Sequence, residues 1–214
     1  MHQSSSSYPT KFNRGGDEAE RVRYNRVVPE VQTTAADETE IGVPTERLCR
    51  VLELAIGDSP LEVTLSELIR IVETTSRTGV LGSILLLDGR YLRHGAAPSL
   101  PKPYCEAIDG AEIGPVAGSC GTAAFRGRPV FVSDISSDPL WAEYKAIALP
   151  HGLHACWSTP IITSKSKVLG TFAMYHREPR EPTVRDLALV DLVTQTAAMV
   201  IDRKRAQEML ARAA

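Results

Sequence analysis

The sequence predicts an α+β fold, with one antiparallel sheet and helices on its faces. Three observations predict it. Two helical periodicities come before any extended run. Two pairs of extended runs are each joined by a short turn, which makes their strands antiparallel neighbours. A long amphipathic segment closes the chain.

The elements follow in order. Residues 1–45 hold the Ser4–Ser7 run, the pair Gly15-Gly16, mixed charges and few large apolar residues. Such a stretch buries too little surface to offset its ordering entropy, so a flexible tail is expected there and a folded domain over 46–212. Arg14, Arg21, Arg23 and Arg26 alternate with Asp17, Glu18 and Glu20, which argues against a basic arm. Leu48, Leu52, Ala55 and Ile56 fall on one face of a first helix. Ser59 before Pro60 and Glu62 reads as a capping box for a second, whose face carries Leu61, Leu65, Leu68, Ile69 and Val72. Gly79 is a stop signal.

The apolar run 80–87, the step Asp88-Gly89 and the run 90–96 read as a hairpin whose central residues favour positive φ. Residues 100–109 suit a short helix opened by Pro101 or Pro103. Residues 114–125 form a loop rich in small residues, with a helix start near Ser119. Residues 129–132 read as a brief strand. Leu140, Tyr144, Ile147 and Ala148 give a one-sided helix ended by Pro150 and Gly152. Residues 154–162 and 168–176 read as a second hairpin. Thr183, with Asp186 in the capping-box position, starts the last helix, which carries Leu187, Val190, Val193, Ala197, Val200 and Ile201. The stretch Asp202-Arg203-Lys204-Arg205 reads as solvated surface.

Composition excludes several function classes. Of 214 residues 43% are hydrophobic and 23% charged, an ordinary globular balance. The net charge of −2 gives no electrostatic case for nucleic acid. No apolar stretch approaches the roughly 20 residues of a membrane span, and no apolar leader segment opens the chain, so a cytoplasmic protein is expected. Cys49, Cys105, Cys120 and Cys156 form no CxxC pair, so neither a zinc site nor a thioredoxin-like site is expected.

The run Gly118-Ser119-Cys120-Gly121-Thr122-Ala123-Ala124-Phe125, then Asp134-Ile135, Asp138-Pro139-Leu140-Trp141, Ala155-Cys156-Trp157-Ser158-Thr159-Pro160-Ile161 and Val168-Leu169-Gly170-Thr171-Phe172-Ala173 resembles a GAF domain. The likeness covers about residues 46–210 and is strongest to GAF modules of bacterial sensor histidine kinases and related signalling proteins. It implies a central antiparallel sheet with the first and last helices on one face. Loops and short helices cover the other face and roof a ligand site. It also implies a non-catalytic sensory module that binds a small molecule or partner and signals through its terminal helices, with a homodimer formed by those helices. No phosphoacceptor or ATP-binding segment follows the last helix, so a kinase or other output protein is expected on a separate chain.

The candidate pocket residues are Ser119, Cys120, Thr122, Phe125, Trp141, Tyr144, His154, Cys156 and Ser158. A helix beginning near Ser119 directs free N–H groups at the covered hollow, where an anionic or carbonyl oxygen suits them. Trp141 and Tyr144 either close the core or wall the pocket. Alternation in the strand puts His154, Cys156, Ser158 and Pro160 on one face and Ala155, Trp157 and Thr159 on the other; which face meets the ligand stays open.

The cofactor stays open too. The Cys-His step of a bilin site is absent, His94, His151, His154 and His176 are undistinguished as haem ligands, and no arginine stands out as a cyclic-nucleotide clamp. The alternative function is an enzyme like the free methionine-(R)-sulfoxide reductases, which are also GAF-like and share a G-x-C-G-T-A run. Such an enzyme would use Cys120 and Cys156, attacking sulfur with a thiolate and resolving the sulfenic intermediate as a disulfide. Here Cys156 lies inside a predicted strand before Trp157 rather than in a loop before Asp, which departs from that pattern.

Overall fold

A computed structural model of the chain describes residues 42–76 and 78–213. The expected N-terminal tail falls almost entirely on residues 1–41, outside the described residues.

Helix α1 (Thr45–Ile56) leads into α2 (Leu61–Thr75). Strands β1 (Leu81–Asp88) and β2 (Tyr91–Ala96) form the first hairpin, followed by the short helix α3 (Lys102–Ile108) and the two-residue strand β3 (Ala111–Glu112). Helix α4 (Gly118–Arg126) precedes β4 (Val130–Val132). The one-turn helix α5 (Lys145–Ala148) lies between 3₁₀ turns at Pro139–Trp141 and Leu149–His151. Strands β5 (Ala155–Ile162) and β6 (Val168–His176) pair, and α6 (Val184–Ala213) closes the chain. The six strands lie in the order β3-β2-β1-β6-β5-β4, and every pairing is antiparallel.

The sheet separates two cores. On one face α1, α2 and α6 bury Val51, Leu65, Leu68, Ile69, Val72, Val190, Val193, Ala197 and Ile201 against Ile84, Trp157, Phe172 and Met174. On the other, α3, α4 and the 139–151 segment cover Leu85, Cys156, Ala173 and Tyr175. Alternation along β6 sends Phe172 and Met174 to the helices and Ala173 and Tyr175 to the roof.

The cap of α6 forms as its sequence requires. The Thr183 backbone N–H and hydroxyl both donate to Asp186 Oδ2, at 2.9 and 2.7 Å, and the Asp186 N–H donates to Thr183 Oγ1 at 3.2 Å.

Five local expectations are corrected. Ser59 does not cap α2: Pro60 holds the N-cap position without a side-chain bond, and the Ser59 carbonyl accepts from Lys204 Nζ instead. On α1 the buried residues are Val51 and Leu54, while Leu52 and Ile56 are 51% and 66% exposed, because two apolar stripes share one short helix. In the first hairpin Asp88 still pairs with Tyr91, so the loop residues are Gly89 and Arg90, and only Gly89 has positive φ. Residues 139–151 are three short turns rather than one helix, because Pro139 and Pro150 each open a fresh turn. Lys204 and Arg205 are half-buried rather than solvated. Arg203, Lys204 and Arg205 donate to the carbonyls of Ile56, Ser59 and Leu87, and Arg205 reaches Leu169 as well.

Candidate functional site

Between the roof and the sheet lies a cavity of about 30 Å³. Leu85, Leu92 and Tyr175 form its floor, Tyr104 and Ile108 one wall, Trp141 and Tyr144 another, and Ala117 to Gly121 its rim. None of the lining side chains carries a formal charge. The open space fits a water-sized molecule, so anything larger enters only if lining side chains move.

The rim is shaped by glycine. Gly118 starts α4 at φ +60°, a conformation closed to most side chains. At Gly121 a Cβ would stand 2.7 Å from Ala117 Cβ and 3.4 Å from the Glu112 carbonyl oxygen, so only glycine lets the helix start sit against β3. Thr122 braces this turn by accepting the Ala117 N–H at 3.0 Å.

A buried relay joins roof to floor. Trp141 Nε1–H donates to Ser119 Oγ at 3.0 Å, and the Ser119 hydroxyl donates to the Cys156 carbonyl at 2.9 Å. Each member has its partner, so the relay fixes the roof helix over β5 without an unmet polar group. The aromatic wall is held by edge contacts: Trp141 meets Tyr144 with ring centres 6.5 Å apart, and Tyr104 meets Tyr175 at 5.6 Å. Burial raises both tyrosine hydroxyls well above their usual titration range, so they stay protonated donors.

Beneath the rim the Cys120 thiol lies 3.8 Å from Tyr175 Oη and beside the Cys156 thiol, with Ser158 and Thr171 as further neighbours. The Cys156 hydrogen bond is the main influence that pulls Cys120 down, to about 7, against the opposing effect of burial. Cys156 is pushed well up, by burial first and then by Cys120. One site thus holds a thiol primed to ionise next to one held neutral.

Four of the nine expected pocket residues meet around the cavity: Ser119, Cys120, Trp141 and Tyr144. Cys156 and Ser158 lie under Cys120 on the roof-facing side of β5, which settles the face of that strand. Thr122 supports the rim from within, Phe125 is 54% exposed near the end of α4, and His154 sits half-buried before β5, near Asp134. The four histidines considered as haem ligands do not converge. His94 is exposed, His151 stacks edge-on against Tyr104, and His176 lies on the helix-facing side against Trp157. Tyr104 and Tyr175 were not among the expected residues. The alternation of β6 marks Tyr175 once its neighbour Phe172 is placed in the helix core, whereas nothing local marks Tyr104.

Known proteins share this fold. The profile described as GAF domain matches residues 58–202, more than half of the chain. The methyl sulfide methyltransferase-associated sensor of Methanosarcina acetivorans is 37% identical over 163 residues, which is 75% of this chain. The match spans 16% of that relative's length. A domain of a two-component sensor histidine kinase protein from Sinorhizobium meliloti superimposes with a TM-score of 0.59 at 22% identity, covering 73% of this chain and all of that one. The free methionine-R-sulfoxide reductase of Neisseria meningitidis, solved with its substrate, gives a TM-score of 0.61 at 14% identity, covering 83% and 98%. At these identities the two structures share the fold alone. With the profile covering both hairpins, the roof and most of α6, the chain belongs to the GAF domain family.

Proposed function

We propose that the domain is a non-catalytic sensory module of signal transduction, whose input is a small molecule or partner at the roofed cavity and whose output is a shift of the terminal helices. The observation that carries this reading is the relay from Trp141 through Ser119 to the Cys156 carbonyl. It ties the roof to β5 next to Trp157. Trp157 faces the other core, and its Nε1–H donates to the Arg180 carbonyl at 3.2 Å, just before α6. A displaced roof therefore has a short, packed route to the start of the long helix. The sensor relative supports the reading. A ligand acts through such a route only by preferring one roof position over the other.

The output is read as a homodimer through α1 and α6. Leu52 and Ile56 on α1 and Met199, Met209 and Leu210 on α6 are exposed by half or more, and the Arg203 bond to the Ile56 carbonyl brings the end of α1 to α6. Their apolar positions suit a second copy of the same pair, with a separate kinase or other output protein as the receiver. No helix among the described residues is long and apolar enough to cross a membrane.

The reductase reading has the two thiols in its favour. Against it stands the uncharged lining, since a free amino acid carries an ammonium and a carboxylate that require partners. Mass spectrometry and absorbance of the purified protein test the sensory reading, followed by hydrogen exchange with whatever molecule co-purifies. Protection is expected to change in α1 and α6. Unchanged helices with an occupied cavity would overturn the proposal.

A further inference from the structure

The sheet face under α4 holds more polar atoms than packing requires. Ser83, Ser158 and Thr171 are at most 1% exposed, and none of their hydroxyls has a hydrogen-bond partner. Buried hydroxyls are normally satisfied, because an orphan loses its water without compensation. Two of the three, Ser158 and Thr171, neighbour the Cys120 sulfur, together with the Tyr175 hydroxyl and the Cys156 thiol. A thiol is a weak acceptor and has no use for four donors. A thiolate takes several, and takes them strongly. Cys120 is also the third residue of a nine-residue helix, where the free N–H groups of the first turn favour negative charge.

We propose that Cys120 and Cys156 are a redox couple oxidised by a small neutral hydroperoxide, with Cys120 as the attacking sulfur and Cys156 as the resolving one. The oxidant class follows from the cavity. Cys120 lies on its lining, the open space admits a water-sized molecule, and no charged side chain is there to hold an anion or a zwitterion. Cys156 is fully buried and sits behind Cys120. The inference goes beyond the sensory reading and needs no bound ligand.

The chemistry balances in two steps. The Cys120 thiolate attacks the terminal peroxide oxygen. An S–O bond forms and the O–O bond breaks, and the departing hydroxide or alkoxide takes up the proton that Cys120 released, leaving as water or alcohol. The Cys156 sulfur then attacks the sulfenic sulfur. An S–S bond forms, the S–O bond breaks, and the sulfenic oxygen leaves with the Cys156 proton as water. The two thiols lose two electrons and two protons, and the peroxide gains them.

The test uses the full chain, reduced and freed of reductant, then exposed to hydrogen peroxide at neutral pH. The reaction is stopped by alkylation under denaturing conditions and mapped by peptide mass spectrometry. A Cys120–Cys156 disulfide is expected, with the Cys120 thiol consumed about tenfold or more faster than Cys105, in proportion to thiolate content. In Cys156→Ser the product becomes a sulfenic acid on Cys120, trapped by dimedone. Ser158→Ala and Thr171→Val keep the fold and slow the loss of the Cys120 thiol several-fold, which a merely structural cysteine would not show. Oxidation that starts at Cys49 or Cys105 while Cys120 stays reduced would overturn the proposal. So would a rate indifferent to both hydroxyl variants, a measurement that decides even where Cys156→Ser does not fold. A disulfide that forms without changing exchange in α1 and α6 supports this inference all the same, since the helix output is tested separately with an occupied cavity.

Discussion

The two faces of the sheet are equally dry and differ in kind. The helix-facing core is apolar at its centre, with side chains from α1, α2 and α6 interlocked over Ile84, Phe172 and Met174, and carries the buried His176 ring at its margin against Trp157. The roof-facing core mixes its apolar side chains with two thiols, two tyrosine hydroxyls and three orphaned hydroxyls, some of them beneath a small cavity. One face has its unpartnered polar atoms near the start of α6, at His176 and Arg180; the other has them within the sheet, at Ser83, Ser158 and Thr171. Natural sequences depart from the rules of good packing mainly at functional sites.

This contrast can be broken by experiment. The largest effect is expected for Phe172→Ala, which empties a fully buried aromatic site in the helix-facing core; unfolding in urea should register a loss of about 3–5 kcal/mol. A loss below about 1 kcal/mol would mean that this core is not the cohesive one.

Acid is expected to act next, through His176. Its ring is buried against Trp157 and neither nitrogen has a hydrogen-bond partner. Burial, and then Arg180, pull its titration down from 6.5 to about 4, with Asp186 opposing weakly. Between these values the unfolded chain binds a proton that the native one does not. The stability is therefore present above pH 6.5 and lost as pH falls toward 4, by about 3 kcal/mol in all. His176→Leu should remove that part of the slope; two identical pH profiles would sink the assignment.

Ser119→Ala cuts the roof relay at both of its bonds, leaving Trp141 Nε1–H without its acceptor and the Cys156 carbonyl without the Ser119 donor. A destabilisation of about 1–3 kcal/mol is expected, together with faster exchange in the 139–151 segment. Thr171→Val is expected to do least. It removes an orphaned hydroxyl at nearly constant shape, so unfolding should shift by under about 1 kcal/mol, if anything toward greater stability. A large loss there would mean that the hydroxyl has a partner and that the roof-facing side is as conventionally packed as the other.

Most of the fold was legible because it is written in local periods. The β5–β6 hairpin shows itself by alternation, the β1–β2 hairpin by its turn, and the start of α6 by Thr183 and Asp186. Where two local signals compete, the reading failed. On α1 two apolar stripes overlap, and only packing against α2 decides which of them goes inside. In the 139–151 segment the spacing of Leu140, Tyr144, Ile147 and Ala148 suits a helix, but each proline restarts the turn. The site was half legible. Ser119, Cys120, Trp141 and Tyr144 were found because motif and aromatic content mark them. Tyr104 was missed because its place depends on α3 folding over the sheet, a contact distant in sequence. Phe125 and His154 were included because they share a motif with residues at the candidate site, yet the helix turns one outward and the strand begins just after the other.

The row Arg203, Lys204 and Arg205 gives α6 a mechanical property. Three consecutive side chains reach out from the helix to carbonyls at the end of α1, before α2 and at the edge of β1. Consecutive positions on a helix point about 100° apart, so together they grip it from three sides. A screw motion at this level must release all three grips before any can re-form. Turning or sliding α6 at this level therefore costs hydrogen bonds at three separate places in the fold at once.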